Sequence, residues 1–389
     1  VPRRLVAALA VTQTVGYGVL YYAFSALLGP MSRDLGISTA TAAGALTTAV
    51  LVTGLMSVPV GRWLDARGGH ALMTTGASVG AAAVVAWSQV QTVAQLYVVF
   101  AVIGAASATV LYEPAFAVVI AVTAPASRTR ALLGITLVAG FASSIFIPLA
   151  GQLLEATTWR RTLLILAAGY AALAIPLHAV ALRRTGPRHR TPVPKRTRAS
   201  ALRDTGFWLL AAGFVLHSAA LATIAVHLVL YLISLGHPPA VAATLAGLLG
   251  LLSVTGRIVT SLSLCWLPMA TIAGIVLVVQ GAAISLLPFT GKHLAGAIAC
   301  LVLFGLGFGV ASIATPAILL DRYGSHGYAT TAGTLATPVI IAKACAPLVG
   351  AVLAGVAGYR PVILTVAAAC IAAGLFIAAS RRVPSPNRA

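Results

Sequence analysis

Apolar residues fill this chain in long, nearly unbroken runs, and polar residues gather in short clusters between them. Each run is about 20 residues or more, the length a helix needs to cross about 30 Å of hydrocarbon at about 1.5 Å per residue. The pattern predicts twelve helices, at 5–28, 41–63, 70–89, 93–122, 130–154, 160–182, 206–234, 239–263, 268–288, 293–320, 328–354 and 359–380. Turn chemistry marks breaks at Gly29-Pro30, Gly68-Gly69, Gly236-His237-Pro238-Pro239 and Gly358. The expected fold class is therefore an all-α membrane protein with twelve transmembrane helices.

Composition agrees: 60% of residues are hydrophobic, only 8% are charged, and the mean hydropathy is +1.01. The net charge of +19 would suggest nucleic acid in a soluble chain, but here the loops explain it. With the N-terminus placed inside, eighteen of the 25 Lys and Arg residues fall on inner segments and five on outer loops. The inner positive charge faces an anionic leaflet, so the partner is the lipid bilayer and no nucleic acid is expected. Both termini are expected in the cytoplasm, and the first apolar stretch, running on into a helical pair, does not read as a cleavable signal. The excess of Arg over Lys points to a GC-rich bacterial genome and hence to a bacterial inner membrane. Cys265, Cys300, Cys345 and Cys370 stand singly, with no spacing for a metal or redox pair. No cofactor is expected, and a monomer is.

Residues 183–204 are basic, polar and rich in Pro, a composition that cannot bury a core. They read as a cytoplasmic linker between six helices in 1–182 and six in 205–389. The halves repeat at a nearly fixed shift: Leu35-Gly36 recurs as Leu235-Gly236, Pro148 to Gly151 as Pro347 to Gly350, and Arg161 as Arg360. A common register over three pairs points to duplication, and parallel six-helix repeats put a substrate site near the midplane.

Three charges lie inside the apolar runs: Glu113, Arg257 and Lys343. A charge at membrane depth is costly and is usually kept for a pathway or a binding site. Arg257 follows Gly256 near one end of the eighth helix, where it either snorkels to headgroups or grips a carboxylate with its planar fork. Lys343 sits about midway along the eleventh helix, too deep to snorkel, as an anion site or as a fixed partner for Glu113. Glu113 precedes Pro114, which removes a helical hydrogen bond. It reads either as an ion-pair gate or as a carboxyl that carries a coupling proton. Tyr21 and Tyr112 could add hydroxyls and rings to such a site. His217 and His227 are candidates for relaying a proton, but ten residues apart they do not share a helix face. Gly104, Gly305, Gly307 and Gly309 are expected to let helices pack closely.

Between the second and third helices stands GRWLDARGGH, from Gly61 to His70. It resembles the major facilitator signature: Gly61 and Asp65 match, Ala66 stands where Arg is usual, and Arg67 follows one place later. The eighth helix, where a second copy would lie, has Ser261 and Cys265 in place of Gly and Asp. Gly16-Tyr17-Gly18, Leu111 to Pro114, Gly140 to Gly151 and Trp159-Arg160 add a likeness to the monocarboxylate transporter and oxalate–formate antiporter families. That likeness implies carboxylate binding by an Arg of the eighth helix and a Lys of the eleventh, places held here by Arg257 and Lys343. It implies a carrier for a small organic anion, coupled to a proton or exchanged for a counter-anion. No phosphate-loop motif is present, which excludes ATP-driven pumping, and no enzymatic activity is expected. Proton-driven efflux of small molecules or drugs is the alternative; the fourth helix lacks the Arg that drug antiporters tend to carry there, and Ile147, not Gly, precedes Pro148.

Overall fold

A computed structural model describes residues 3–183, 202–263, 266–325 and 327–384, all organised by helices. The middle of the predicted linker and Cys265 lie outside these residues. Eleven helices among them are long and apolar enough to span a bilayer. They are α1 (Arg3–Asp34), α2 (Thr39–Arg67), α3 (His70–Ser88), α4 (Val93–Val122), α5 (Ser127–Ala156), α6 (Trp159–Ala181), α7 (Thr205–Ser234), α9 (Met269–Thr290), α10 (Leu294–Tyr323), α11 (Tyr328–Ala357) and α12 (Tyr359–Ser380). The remaining predicted crossing, α8, is the helix Pro239–Ser263.

Most expected breaks hold, because glycine alone enters the left-handed region cheaply. Gly68, Gly236 and Gly358 have φ of 76°, 101° and 80°. The expected stop at Gly29-Pro30 does not occur: α1 runs through Pro30 to Asp34. Its end is set by Gly36, with φ 63°. The same cap closes α7. Ile37 N–H reaches Ser32 C=O at 3.0 Å, and His237 N–H reaches Leu232 C=O at 3.2 Å. The repeated Leu-Gly pairs thus form the same turn in both halves.

Four helices are interrupted where the sequence predicts continuous ones, one of them α5, which breaks at Gly140-Phe141 between Pro125–Ala139 and Ala142–Ala156. In α1 the stretch Gly18–Tyr22 is a π-helical turn, a widening often found at functional sites. Helix α4 stops at Val110 and restarts at Tyr112 around an extended Leu111, three residues before Pro114. Helix α10 opens at Gly307–Val310 between Leu294–Leu306 and Ala311–Tyr323. The glycines there do pack closely, as expected, but they also break the helix. Gly256 of α8 has the Leu306 carbonyl against it, and Gly309 has the Ser253 carbonyl.

The chain divides into two compact units, one of residues 1–194 with 325–337 and the other of 195–324 with 338–389. The first unit's core comes from α1 to α6 and centres on Trp87, with Phe100 at 4.8 Å and Phe24 at 6.1 Å between ring centroids. Arg160 ties its helix ends together, donating to Asp34 at 3.0 Å and to the Ser88 and Val90 carbonyls at 2.8 and 2.9 Å. The second unit's core, drawn from α7 to α10 and α12, is built around Phe304, Ile284, Leu287 and Ile363.

Candidate functional site

In the first unit, the π turn of α1 and the break of α4 bring a set of aromatic rings together. Gly18 lies under the Phe146 ring, which leaves no room for a Cβ. Tyr17 stands 4.7 Å from Tyr112 and 6.5 Å from Tyr22, while Tyr21 meets Tyr22 edge-on at 5.2 Å. Tyr112 stacks on Phe116 at 5.1 Å. Glu113, Tyr17, Tyr21, Tyr22 and Tyr112 are all half-buried. The Glu113 charge acts on Tyr17 and on Tyr328 of α11. Tyr21 and Tyr112, singled out from sequence, are thus linked through Tyr17 and Tyr22.

The signature loop also lies in this unit, against the start of α11. The Asp65 carboxylate accepts the N–H groups of Ala329 at 3.2 Å and Thr330 at 2.7 Å. Helix N-termini carry unsatisfied N–H groups and partial positive charge, so an acid fits there. Gly61 faces the Ala329 carbonyl and Gly333 faces the Ser57 carbonyl, each too closely for a Cβ. Thr337 Oγ1 adds a hydrogen bond to Gly54 C=O at 2.8 Å. Small residues therefore let α2 and α11 meet backbone to backbone. Arg67 lies over the Trp63 ring, 4.4 Å from its centroid.

The second unit holds the other candidates. Arg257 on α8 is half-buried, and its side chain crosses the break of α10: a Cβ on Gly309 would come 2.8 Å from Nε. Lys343 on α11 is exposed, four residues before Pro347. His217 and His227 on α7 are both buried and serve different neighbours. His217 Nε2 meets Gln280 Oε1 at 3.1 Å, and Gln280 Nε2 donates to Phe304 C=O at 2.9 Å. His227 Nε2 donates to Pro347 C=O at 2.9 Å. The two histidines are not brought together, as their spacing foretold.

Sequence reasoning passed over Gln13, Gln280 and Tyr328. The two glutamines are lone amides in apolar spans, and that rarity was the available signal.

At one end of the second unit, Asp204 caps α7 and takes both Arg322 Nε at 2.7 Å and Nη2 at 2.9 Å. Tyr323 donates to the same carboxylate at 2.6 Å. Burial opposes ionisation of Asp204, but the hydrogen bonds from Arg322, Tyr323 and Gly206 outweigh it and hold its carboxyl below the usual carboxylate range. A cavity of about 570 Å³ beside this cluster is lined by Asp321, Arg322, Arg381 and Arg382. None of Glu113, Arg257, Lys343, His217 or His227 lines it. Among the described residues no three His, Cys, Asp or Glu side chains are placed to hold a metal ion.

A family profile described as Major Facilitator Superfamily matches residues 9–339. Among curated proteins, no sequence matches. Among solved structures, a variant of the E. coli fucose:proton symporter FucP superposes with a TM-score of 0.76 at 14% identity, covering 96% of this chain and 98% of that one. The human organic anion transporter MFSD10 superposes with a TM-score of 0.72 at 16% identity, covering 97% of this chain and 99% of that one. A FucP structure in the outward conformation gives 0.76 at 13% identity, with 96% and 98% covered. At such identities the likeness is one of fold.

Proposed function

Because the chain belongs to the major facilitator superfamily, and so is a multi-pass secondary transporter and not an enzyme, we propose that its cargo is a small organic anion, a mono- or dicarboxylate. The observation that carries this reading is the charge inventory of the second unit. Away from its helix ends, the Asp, Glu, His, Lys and Arg side chains within its spans are Arg257, Lys343, His217 and His227, all bases. Its two acids, Asp204 and Asp321, sit at helix ends beside Arg322. A bundle arranged this way attracts an anion and repels a cation.

Arg257 binds one carboxylate through two parallel hydrogen bonds, which its planar fork allows and an ammonium does not. Lys343 supplies a second point charge. Tyr21 and Tyr112 offer hydroxyls and ring faces to the rest of the cargo. Glu113 carries the coupling proton or gates the site by ion pairing, so transport is proton symport or exchange by alternating access. The Asp65 contact with the α11 N-terminus forms and breaks during that cycle. Proton symport and organic anion transport are also the activities named for two of the structural neighbours. The protein sits in a bacterial inner membrane with both termini cytoplasmic.

The test is uptake of formate, acetate, lactate and oxalate into proteoliposomes, with and without a pH gradient. Uptake that needs the gradient means symport, and gradient-free counterflow means exchange. No carboxylate uptake, together with extrusion of a cationic dye, would replace this reading with proton-driven efflux. One feature favours that second reading: the Tyr17, Tyr22 and Tyr112 rings beside Glu113 are chemistry suited to an amphipathic cation.

A further inference from the structure

Each of the three intramembrane charges is carried next to a place where a helix has lost regular backbone hydrogen bonding. In α4, Pro114 has no N–H to give Val110 C=O, and the extended Leu111 opens the helix there. Gln13 of α1, fully buried, donates Nε2 to that carbonyl at 2.7 Å. Glu113 follows three residues later. In α10, the Phe308 N–H turns to Gly305 C=O at 3.0 Å instead of reaching back to Phe304. Gln280 of α9, also fully buried, donates to Phe304 C=O. That donation fixes Gln280 Oε1 as an acceptor, so His217 Nε2 carries the hydrogen between them. Arg257 lies over Gly309 of the same break. In α11, Pro347 has no N–H for Lys343 C=O. His227 of α7 donates to Pro347 C=O one turn on, and Gly350 leaves space for the ring.

An amide or imidazole buried in an apolar bundle is costly unless its hydrogen bonds are made. Here the donor group is satisfied three times, each time at a break or a proline and each time from a different helix, while among the described residues Gln13 Oε1 and His227 Nδ1 stay without a partner. We infer that Gln13, Gln280 with His217, and His227 are positioning residues that fix the backbone from which Glu113, Arg257 and Lys343 project. The inference rests on the reading of those three charges as the transport site. It also gives the histidines another part than the proton relay expected from sequence: they are donors that hold backbone. The groups around His227 are Tyr231 on its own helix, Tyr359 and Arg360 on α12, and Lys343 a turn from Pro347 on α11. None of these is a carboxylate, and among the described residues His227 Nδ1 has no hydrogen-bond partner.

Hydrogen–deuterium exchange of the full chain in lipid nanodiscs tests this without a substrate. His227→Met is expected to speed exchange by about tenfold over 343–351 and to leave 304–312 at the parental rate. Gln280→Met is expected to do the reverse. His227→Gln, which keeps an Nε2 donor, restores parental exchange in 343–351. A rise spread evenly over all helices, or His227→Gln exchanging as fast as His227→Met, would overturn the inference. Where lactate or oxalate is carried, His227→Met raises KM more than it lowers kcat, and His227→Gln keeps the parental pH profile. A flattened profile in His227→Gln would return the residue to proton carrying. If no carboxylate is carried, the proposed cargo fails while the exchange pattern still decides the positioning role.

Discussion

At the scale of single residues, chemistry separates side chains that hold the fold from those proposed to hold cargo. Arg257→Lys keeps the charge and loses the fork, so KM for a carboxylate is expected to rise by about tenfold or more, measured by proteoliposome uptake. Unchanged KM would remove Arg257 from the site. Asp204 makes the opposite kind of contact, a closed pair with Arg322. Asp204→Asn leaves a buried guanidinium without its counter-charge and is expected to cost about 3–5 kcal/mol of stability, read as a lowered melting temperature in detergent. The folded-state carboxyl of Asp204 titrates below its unfolded value of about 3.9. Its stabilisation is therefore complete above that unfolded value and is lost only as pH falls through the lower folded value. A melting temperature that already drops between pH 7 and 5 in the parent, but not in Asp204→Asn, would contradict this. The three intramembrane charges were plain in the sequence because they are rare among apolar neighbours. Gln13 and Gln280 were not singled out, because an uncharged amide signals its partner only once the break beside it is visible.

At the scale of elements, helix spans were legible and interruptions were not. Apolar run length fixes where a helix crosses, and Gly68, Gly236 and Gly358 mark ends through a conformation that only glycine adopts cheaply. Pro114 and Pro30 show why proline alone is ambiguous. Helix α1 passes through Pro30, whereas α4 opens three residues before Pro114, and Gln13 Nε2 donates to the freed Val110 carbonyl. The π turn of α1 left no sequence signal, since its need for Gly18 comes from the Phe146 ring of a distant helix. Glycine substitutions distinguish packing seams from open faces. Gly333→Ala drives a methyl group into the Ser57 carbonyl and is expected to destabilise by about 1–3 kcal/mol. A methyl group on Gly151 would meet nothing within 4 Å, so Gly151→Ala is expected to be neutral or stabilising by up to about 1 kcal/mol. Melting curves of both variants check the contrast, and equal effects would contradict the α2 and α11 seam.

At the scale of the whole molecule, the duplication, the signature loop and the hydropathy already implied the superfamily, which the family profile bears out over residues 9–339. The cargo was less legible, because fold sets how a carrier is built while a few side chains set what it carries. The likeness to monocarboxylate and oxalate–formate carriers, drawn from residues of the first bundle, leaves the proposed cargo to be tested at Arg257 and Lys343 themselves. The most direct measurement is the current that a rapid oxalate or lactate jump evokes on protein-loaded solid-supported membranes. The account predicts a saturable current in the parent, lost in Arg257→Gln and in Lys343→Gln while both variants still fold. Undiminished currents in both variants, or currents evoked only by a cationic dye, would contradict the capture of an anion by these two bases.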